Sequence, residues 1–304
     1  MRLSANADWA FHRYCKISKR LPPVTGRGPL KTEPETVAGL DAIAGSFDAF
    51  LFDSFGVLNV GATSIAGASD RILQLRNMGK SVFVLTNAAT LPLGDNRQKY
   101  HDLGFDFSEH EIISSRAILA GYLADLSTNL VWGIAAPESS RINELPCNSV
   151  LLDAENVSGC DGIILLSSAN WDETKQEMLI ASLAENPRPV LVGNPDIVAP
   201  REDVFSKEPG FFAHDLADRL GIEPLFFGKP FQNAFDEAFA RLPPGIEPDR
   251  VLMLGDTLHT DILGGHAAGC KTALVVDHGL MRDMNIRNAM EQSGVVPDYI
   301  MPSI

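Results

Sequence analysis

From residue 47 the chain alternates short apolar runs with segments of helical period: FDAFLF, SIAGASDRILQLRNMG, SVFVLT, then DNRQKYHDLG. Strand and helix in strict alternation predict a mainly parallel sheet with helices on both faces, because parallel strands need crossover connections and a strand covered on both sides reads as an unbroken apolar run. Gly79 and Gly104 follow their helical segments as C-terminal caps do. The alternation resumes with LFFGKP, QNAFDEAFARL, RVLMLGD, a helix around DILGGHAAG, and KTALVVDHG. Between the two blocks lie separate strand and helix units, LVWGIA, GIILLS, WDETKQEMLIASLAEN and RPVLVGNPD, enough for an inserted α/β domain. At 304 residues and 45% hydrophobic content the chain can fill both cores. The expected division is an N-terminal extension at 1–37, a core domain at 38–114 and 223–304, and a cap domain at 115–222. One sheet running throughout is the alternative.

The extension is basic and rich in turns: Arg13, Lys16, Lys19 and Arg20 lie on it, Asp8 is the one acid before residue 33, and LPPVTGRGPLKTEPE closes it. A targeting arm is one reading; a flexible or surface-packed extension is the reading preferred here. No run of 18 apolar residues occurs, so no membrane partner is expected. Cys15, Cys147, Cys160 and Cys270 are scattered without metal spacing, which suits a reducing, cytoplasmic setting. The net charge of -14 argues against a nucleic-acid partner. It also means that any phosphate site must carry its own cation, a metal or a well-placed Lys.

In open α/β sheets ligands bind beyond the carboxyl ends of the strands, so the polar residues that follow apolar runs are the ones to collect. Asp53 follows AFLF; Thr86 and Asn87 follow SVFVL; Lys229 follows LFFG; Asp256 follows VLMLG, with Asp261 five residues on. Any one of them alone reads as a turn former or helix cap. Together they supply a carboxylate, a hydroxyl and amide pair, a cation and two further carboxylates.

This set, in this order, resembles the haloacid dehalogenase (HAD) superfamily. Asp53 matches its nucleophile motif, Thr86 its second motif, Lys229 its third, and GDTLHTD at 255–261 its acidic fourth. GKP at 228–230, GDTLHTDILGGHAAG at 255–269 and GNPD at 193–196 are similar to the class IIA branch, with its nitrophenylphosphatase-like and pyridoxal-phosphatase-like enzymes. The resemblance covers about residues 38 to 280. It implies a Rossmann-like parallel-sheet core with an inserted α/β cap, and a phosphatase acting on a small phosphorylated metabolite. Asp53 would attack phosphorus and form an aspartyl-phosphate. Asp53, the Phe55 backbone carbonyl and Asp256 would hold Mg2+, with Asp261 in support. Thr86, the Asn87 backbone and Lys229 would hold the phosphoryl oxygens. A homodimer through the cap is also implied.

One position departs from the pattern. The family's phosphatases place a second Asp two residues after the nucleophile as general acid and base; here that residue is Phe55. Losing such a group costs about 10²- to 10⁴-fold in rate. The expectation is therefore a magnesium-dependent phosphatase that is slow or limited to good leaving groups. A catalytically impaired phosphate-binding or regulatory protein is the alternative, and a dehalogenase-like hydrolase a lesser one, since dehalogenases need no metal and GDTLHTD is a metal-site sequence. His259 and His214 are the candidates for a surrogate acid, each weighed against a plain exposed helical His. Asn194-Pro195-Asp196 reads as a cap hinge. Cap residues such as Trp132 and Trp171 would choose the substrate without identifying it.

Overall fold

The computed structural model describes residues 6–23, 33–127, 129–200 and 205–304. Residues 24–32, the turn-rich part of the extension, lie outside the described residues. In chain order the elements are α1 (Ala7–Ile17), β1 (Glu35–Thr36), β2 (Ala49–Phe52), β3 (Asn59–Val60), β4 (Thr63–Ser64), α2 (Ala68–Asn77), β5 (Ser81–Thr86), α3 (Leu93–Asp102), β6 (Ile112–Ser114) and α4 (Ser115–Ala124). There follow β7 (Val131–Ala135), β8 (Asn148–Leu151), β9 (Gly162–Leu165), α5 (Glu173–Glu185), β10 (Val190–Val192), β11 (Val198–Pro200), β12 (Phe205–Lys207), α6 (Pro209–Leu220) and β13 (Leu225–Phe226). The chain closes with α7 (Gln232–Arg241), β14 (Val251–Gly255), α8 (Leu263–Ala267), β15 (Lys271–Val275), α9 (Ile286–Ser293) and β16 (Tyr299–Met301).

Two all-parallel sheets result. The first has seven strands in the order β1-β16-β15-β14-β2-β5-β6; the second has five, β13-β10-β9-β7-β8. Strand β2 shows why its sequence is apolar without alternation. Phe50 and Phe52 enter the cluster that includes Ile72 and Leu75 of α2, while Ala49 and Leu51 point the other way, toward Ala234 and Phe235 of α7. All four are completely buried. Burying each large side chain is worth about 2 kcal/mol, so both faces hold the strand in place. The second sheet is packed in the same manner, with Ile163 and Leu165 against Leu179 of α5 and Leu216 of α6.

Two short strands differ from the sequence expectation. Leu225 and Phe226 pair with Leu191 and Val192 of β10, not with the first sheet. An apolar run of this length carries no mark of which sheet it will join. Glu35 and Thr36, at the end of the extension, pair with Tyr299 and Ile300 and form the edge of the first sheet. The extension also contributes α1, capped by the Asn6 side chain on the Trp9 amide at 2.8 Å. Its Ala10, Phe11, Tyr14 and Ile17, at positions that share one helical face, are buried against Leu258, Ile262 and Met290.

Candidate active site

Strands β14, β2 and β5 are neighbours at the centre of the first sheet, and their registers bring three chain ends to one level. The Asp53 amide donates to the Leu254 carbonyl at 2.9 Å, holding β2 to β14 up to the last residue. Asp53, Thr86 and Asp256 thereby meet at the carboxyl edge, where the switch from β2-to-β5 to β2-to-β14 opens a crevice. Lys229 enters from the loop after β13. Its Nζ lies 2.7 Å from Asp53 Oδ1 and 2.6 Å from Asp261 Oδ1. The Lys side chain is almost wholly buried. Burial disfavours its charge, but Asp261 and Asp53 outweigh that and raise its pKa above the ordinary lysine value.

Asn87 fixes this arrangement through its side chain. Its Oδ1 accepts from the Lys229 amide at 2.7 Å, and its Nδ2 donates to the Lys229 carbonyl at 2.9 Å and to Asp196 Oδ1 at 2.8 Å. With the amide so occupied, what Asn87 can offer a ligand is its backbone. Thr86 Oγ1 accepts from the Ala88 amide at 3.2 Å.

The turn after Asp53 is equally constrained. The Leu58 and Asn59 amides donate to Ser54, and the Gly56 amide to Asn59. Ser54 Oγ donates to Asn59 Oδ1 at 2.9 Å. Among the described residues no hydrogen bond reaches the Phe55 carbonyl oxygen. The Phe55 ring lines the pocket, with Lys99 Nζ 4.5 Å from its centroid.

Asp256 is buried with an Oδ1 that accepts from Thr257 Oγ1 at 2.9 Å and an Oδ2 that accepts from the Leu280 amide at 2.6 Å. Among the described residues no basic side chain pairs with it. Burial, then Asp53 and Asp261, raise its pKa. One oxygen from each of Asp53, Asp256 and Asp261 lies within 4.8 Å of the others. Three carboxylates against one ammonium leave an excess of negative charge, and the donors are all oxygen. A hard divalent cation fits this set. Backbone shape serves the same carboxylate. Gly56 and Gly279 have φ of +78° and +77°, and a Cβ on either would come within 2.6 Å and 1.8 Å of Asp256 Oδ2.

The cavity over these groups holds about 240 Å³. Besides the expected residues it is lined by Tyr14, Leu91, Lys99, Asn194, Asp196 and Glu208. Burial pushes Asp196 up to about 8; the Asn87 bond opposes this and Asp53 adds to it. Asp196 therefore belongs to the pocket wall as well as to the hinge expected of it.

The two histidines are placed elsewhere than expected. His259 is buried with its ring stacked on Tyr14, centroids 5.1 Å apart and planes 8° apart, and Phe11 edge-on at 5.3 Å. His214 is buried against Phe226 at 4.8 Å. Neither lines the cavity, and burial lowers them to about 4 and about 3. They are neutral packing groups, neither surrogate acids nor exposed helical residues. The aromatic partners come from α1 and β13, whose packing the local sequence around each His does not declare.

A parallel α/β core with an acid, a lysine and two further acids at its central carboxyl edge, beneath a second α/β unit, is the architecture of the haloacid dehalogenase-like hydrolases with a cap. Residues 50–143 match the family described as haloacid dehalogenase-like hydrolase, and residues 226–304 match the one described as HAD-hydrolase-like. The chain belongs to the HAD superfamily. It is 27% identical over 282 residues to phosphoglycolate phosphatase 2 of Arabidopsis thaliana, covering 85% of this chain and 91% of that one. A "possible sugar phosphatase, HAD superfamily" from Cytophaga hutchinsonii superposes with a TM-score of 0.79 at 25% identity, over 88% of this chain and 98% of its own. A glycerol phosphate phosphatase from Mycobacterium tuberculosis, in complex with magnesium, superposes with a TM-score of 0.63 at 23% identity, over 78% and 69%.

Proposed function

We propose that this chain is a magnesium-dependent phosphoric monoester hydrolase of the class IIA branch, acting on a small phosphorylated metabolite through an aspartyl-phosphate on Asp53. The observation that carries the reading is the buried contact of Lys229 with Asp53 and Asp261, beside an Asp256 that has no cation of its own. Held by Asp53, the Phe55 carbonyl and Asp256, with Asp261 in support, magnesium would supply positive charge against the phosphoryl oxygens. Thr86, the Asn87 backbone and Lys229 hold those oxygens from the protein side. An Asp53 oxygen bonds to phosphorus as the ester P–O bond breaks, and the electron pair of that bond stays on the leaving oxygen. With Phe55 two residues beyond the nucleophile, the proton for that oxygen comes from water. Water then attacks phosphorus, releasing phosphate and restoring Asp53.

The phosphatase names of the relatives support a small sugar, polyol or hydroxyacid phosphate as the substrate class. The division into extension, core and cap at 1–37, 38–114 with 223–304, and 115–222 is part of the reading, with Glu35–Thr36 and Leu225–Phe226 crossing those limits. Four unpaired thiols support a reducing compartment such as the cytoplasm. Among the described residues no helix is long and apolar enough to cross a membrane. Pairing of two chains through the cap is part of the same reading.

Phe55 favours a second reading, a phosphate-binding protein of the same fold. A panel of aryl, acyl and alkyl phosphates assayed with and without magnesium separates the two. The enzyme reading predicts turnover only with magnesium, with aryl and acyl esters about 10²-fold or more ahead of alkyl ones. Magnesium-dependent phosphate binding without turnover of any ester would favour the binding protein.

A further inference from the structure

We propose that Tyr14, carried into the pocket by α1, is a substrate-contacting residue that donates a hydrogen bond to a hydroxyl oxygen in the leaving-group part of a short alkyl phosphate. The proposal rests on the phosphate-ester reading above. It concerns a segment that lies ahead of residue 50, where the family match begins.

The Tyr14 ring is held from two sides. One face stacks on His259, which stands on the helical turn Leu258–Ile262 that also carries Asp261. At the other end the phenol oxygen accepts a hydrogen bond from the Ile197 amide at 3.1 Å, in the loop that follows Asn194-Pro195-Asp196. The ring thus spans the fourth motif of the core and the loop that returns from the second sheet. Helix α1 and the turn that follows it, Ser18–Arg20, are tied to that second unit as well. Arg13 and Arg20 pair with Asp218 of α6 at 2.9 Å and 2.7 Å, and Trp9 packs on Phe211 with centroids 5.5 Å apart.

Tyr14 is 2% exposed, yet it lines the cavity. A phenol can accept and donate. The Ile197 amide takes up the accepting side, and among the described residues no acceptor is paired with the O–H. A buried donor left without a partner is costly, so a ligand oxygen at this point is favoured over an apolar carbon. Burial, and next the Asp196 carboxyl, hold the phenol pKa well above its ordinary value, so the group stays a donor. The wall that Tyr14 shares is polar too, with Asn194 and Asp196 adjoining it. The phosphoryl oxygens are served by a different set, Thr86, the Asn87 backbone and Lys229, on the strand ends and the loop after β13. What remains for Tyr14 is the part of the substrate beyond phosphorus.

The test compares glycerol 3-phosphate with n-propyl phosphate, which has the same carbon chain without hydroxyls. Binding is measured with magnesium in the full chain carrying Asp53→Asn, with and without Tyr14→Phe, and KM is measured in the parent. Phe keeps the stack on His259 and removes only the hydroxyl. The expected result is a preference for glycerol 3-phosphate of about 3- to 10-fold when Tyr14 is present, lost in Tyr14→Phe, with n-propyl phosphate unchanged. Equal weakening of both ligands, no preference with Tyr14 present, or binding of neither would overturn the proposal. The preference in the Tyr14 protein is measured without any Tyr14 variant, so its absence overturns the proposal even if Tyr14→Phe folds poorly. Binding with the expected preference but no turnover by the parent would retain Tyr14 and remove only the hydrolase reading.

Discussion

At the scale of single residues, Asp53, Asp256 and Lys229 were legible because each follows an apolar run, and strand ends are where a parallel sheet exposes chemistry; Asp261 was legible only from its place in GDTLHTD. Tyr14 and Lys99 were not, since nothing in their own surroundings says which loop or helix they will meet. Asp196 was half legible: its turn signal was plain, while its place in the pocket depends on Asn87, over a hundred residues earlier. His214 shows the same limit from the other side, because it sits on a helix of mixed polarity and is nevertheless buried against Phe226. Its pKa is lowered to about 3, by burial first and then by Arg20 and Arg13, against the opposing pull of Asp218. The fold therefore holds it neutral. Below about pH 6.5 the unfolded chain takes up a proton that the native one excludes, so stability falls as the pH drops from there toward the native value. Between pH 7 and pH 5 this group should cost the parent roughly 2 kcal/mol that His214→Phe does not lose. Urea denaturation of both proteins at the two pH values measures it, and identical pH dependence would show that His214 is not buried in its neutral form.

At the scale of elements, β2, β5 and β14 were readable from unbroken apolar runs that only a strand covered on both faces requires. The sheet membership of Leu225–Phe226 was not, because two parallel sheets offer the same surroundings to a two-residue strand. Helix α1 had a signal in the spacing of Ala10, Phe11, Tyr14 and Ile17, but its basic, turn-rich surroundings suggested a flexible or surface-packed extension instead. Loops are held to the site by shape, and two glycines separate shape from strain. Gly279 and Gly294 both have positive φ, +77° and +70°, but a Cβ on Gly279 meets Asp256 while nothing lies within 4 Å of one on Gly294. Gly294→Ala, at the C-terminal cap of α9, should cost about 1–2 kcal/mol of stability and leave kcat/KM unchanged. Gly279→Ala should show the same strain and in addition lower kcat/KM by at least about 10-fold, since Asp256 must move. Thermal melts and kinetics of the pair provide the check; equal activity in the two variants would mean that the Gly279 loop does not position Asp256.

At the scale of the whole molecule, a chain of net charge -14 gathers three carboxylates at one point, and among the described residues a buried lysine pairs with two of them, Asp53 and Asp261. That concentration of charge makes sense if a cation and a phosphoryl group complete it, and the cap and α1 close over the place where they would meet. The central claim is that Asp53 takes the phosphoryl group. Without a carboxylate at position 55 to activate water, breakdown of the aspartyl-phosphate should be slow, so the intermediate should accumulate. Rapid quenching of the magnesium-loaded protein during turnover of a radiolabelled aryl phosphate measures this directly. The account predicts label on the chain, close to one per molecule, released by hydroxylamine and absent in Asp53→Asn, which should also show no turnover. Turnover near the parent rate in Asp53→Asn, or label that persists in that variant, would contradict it.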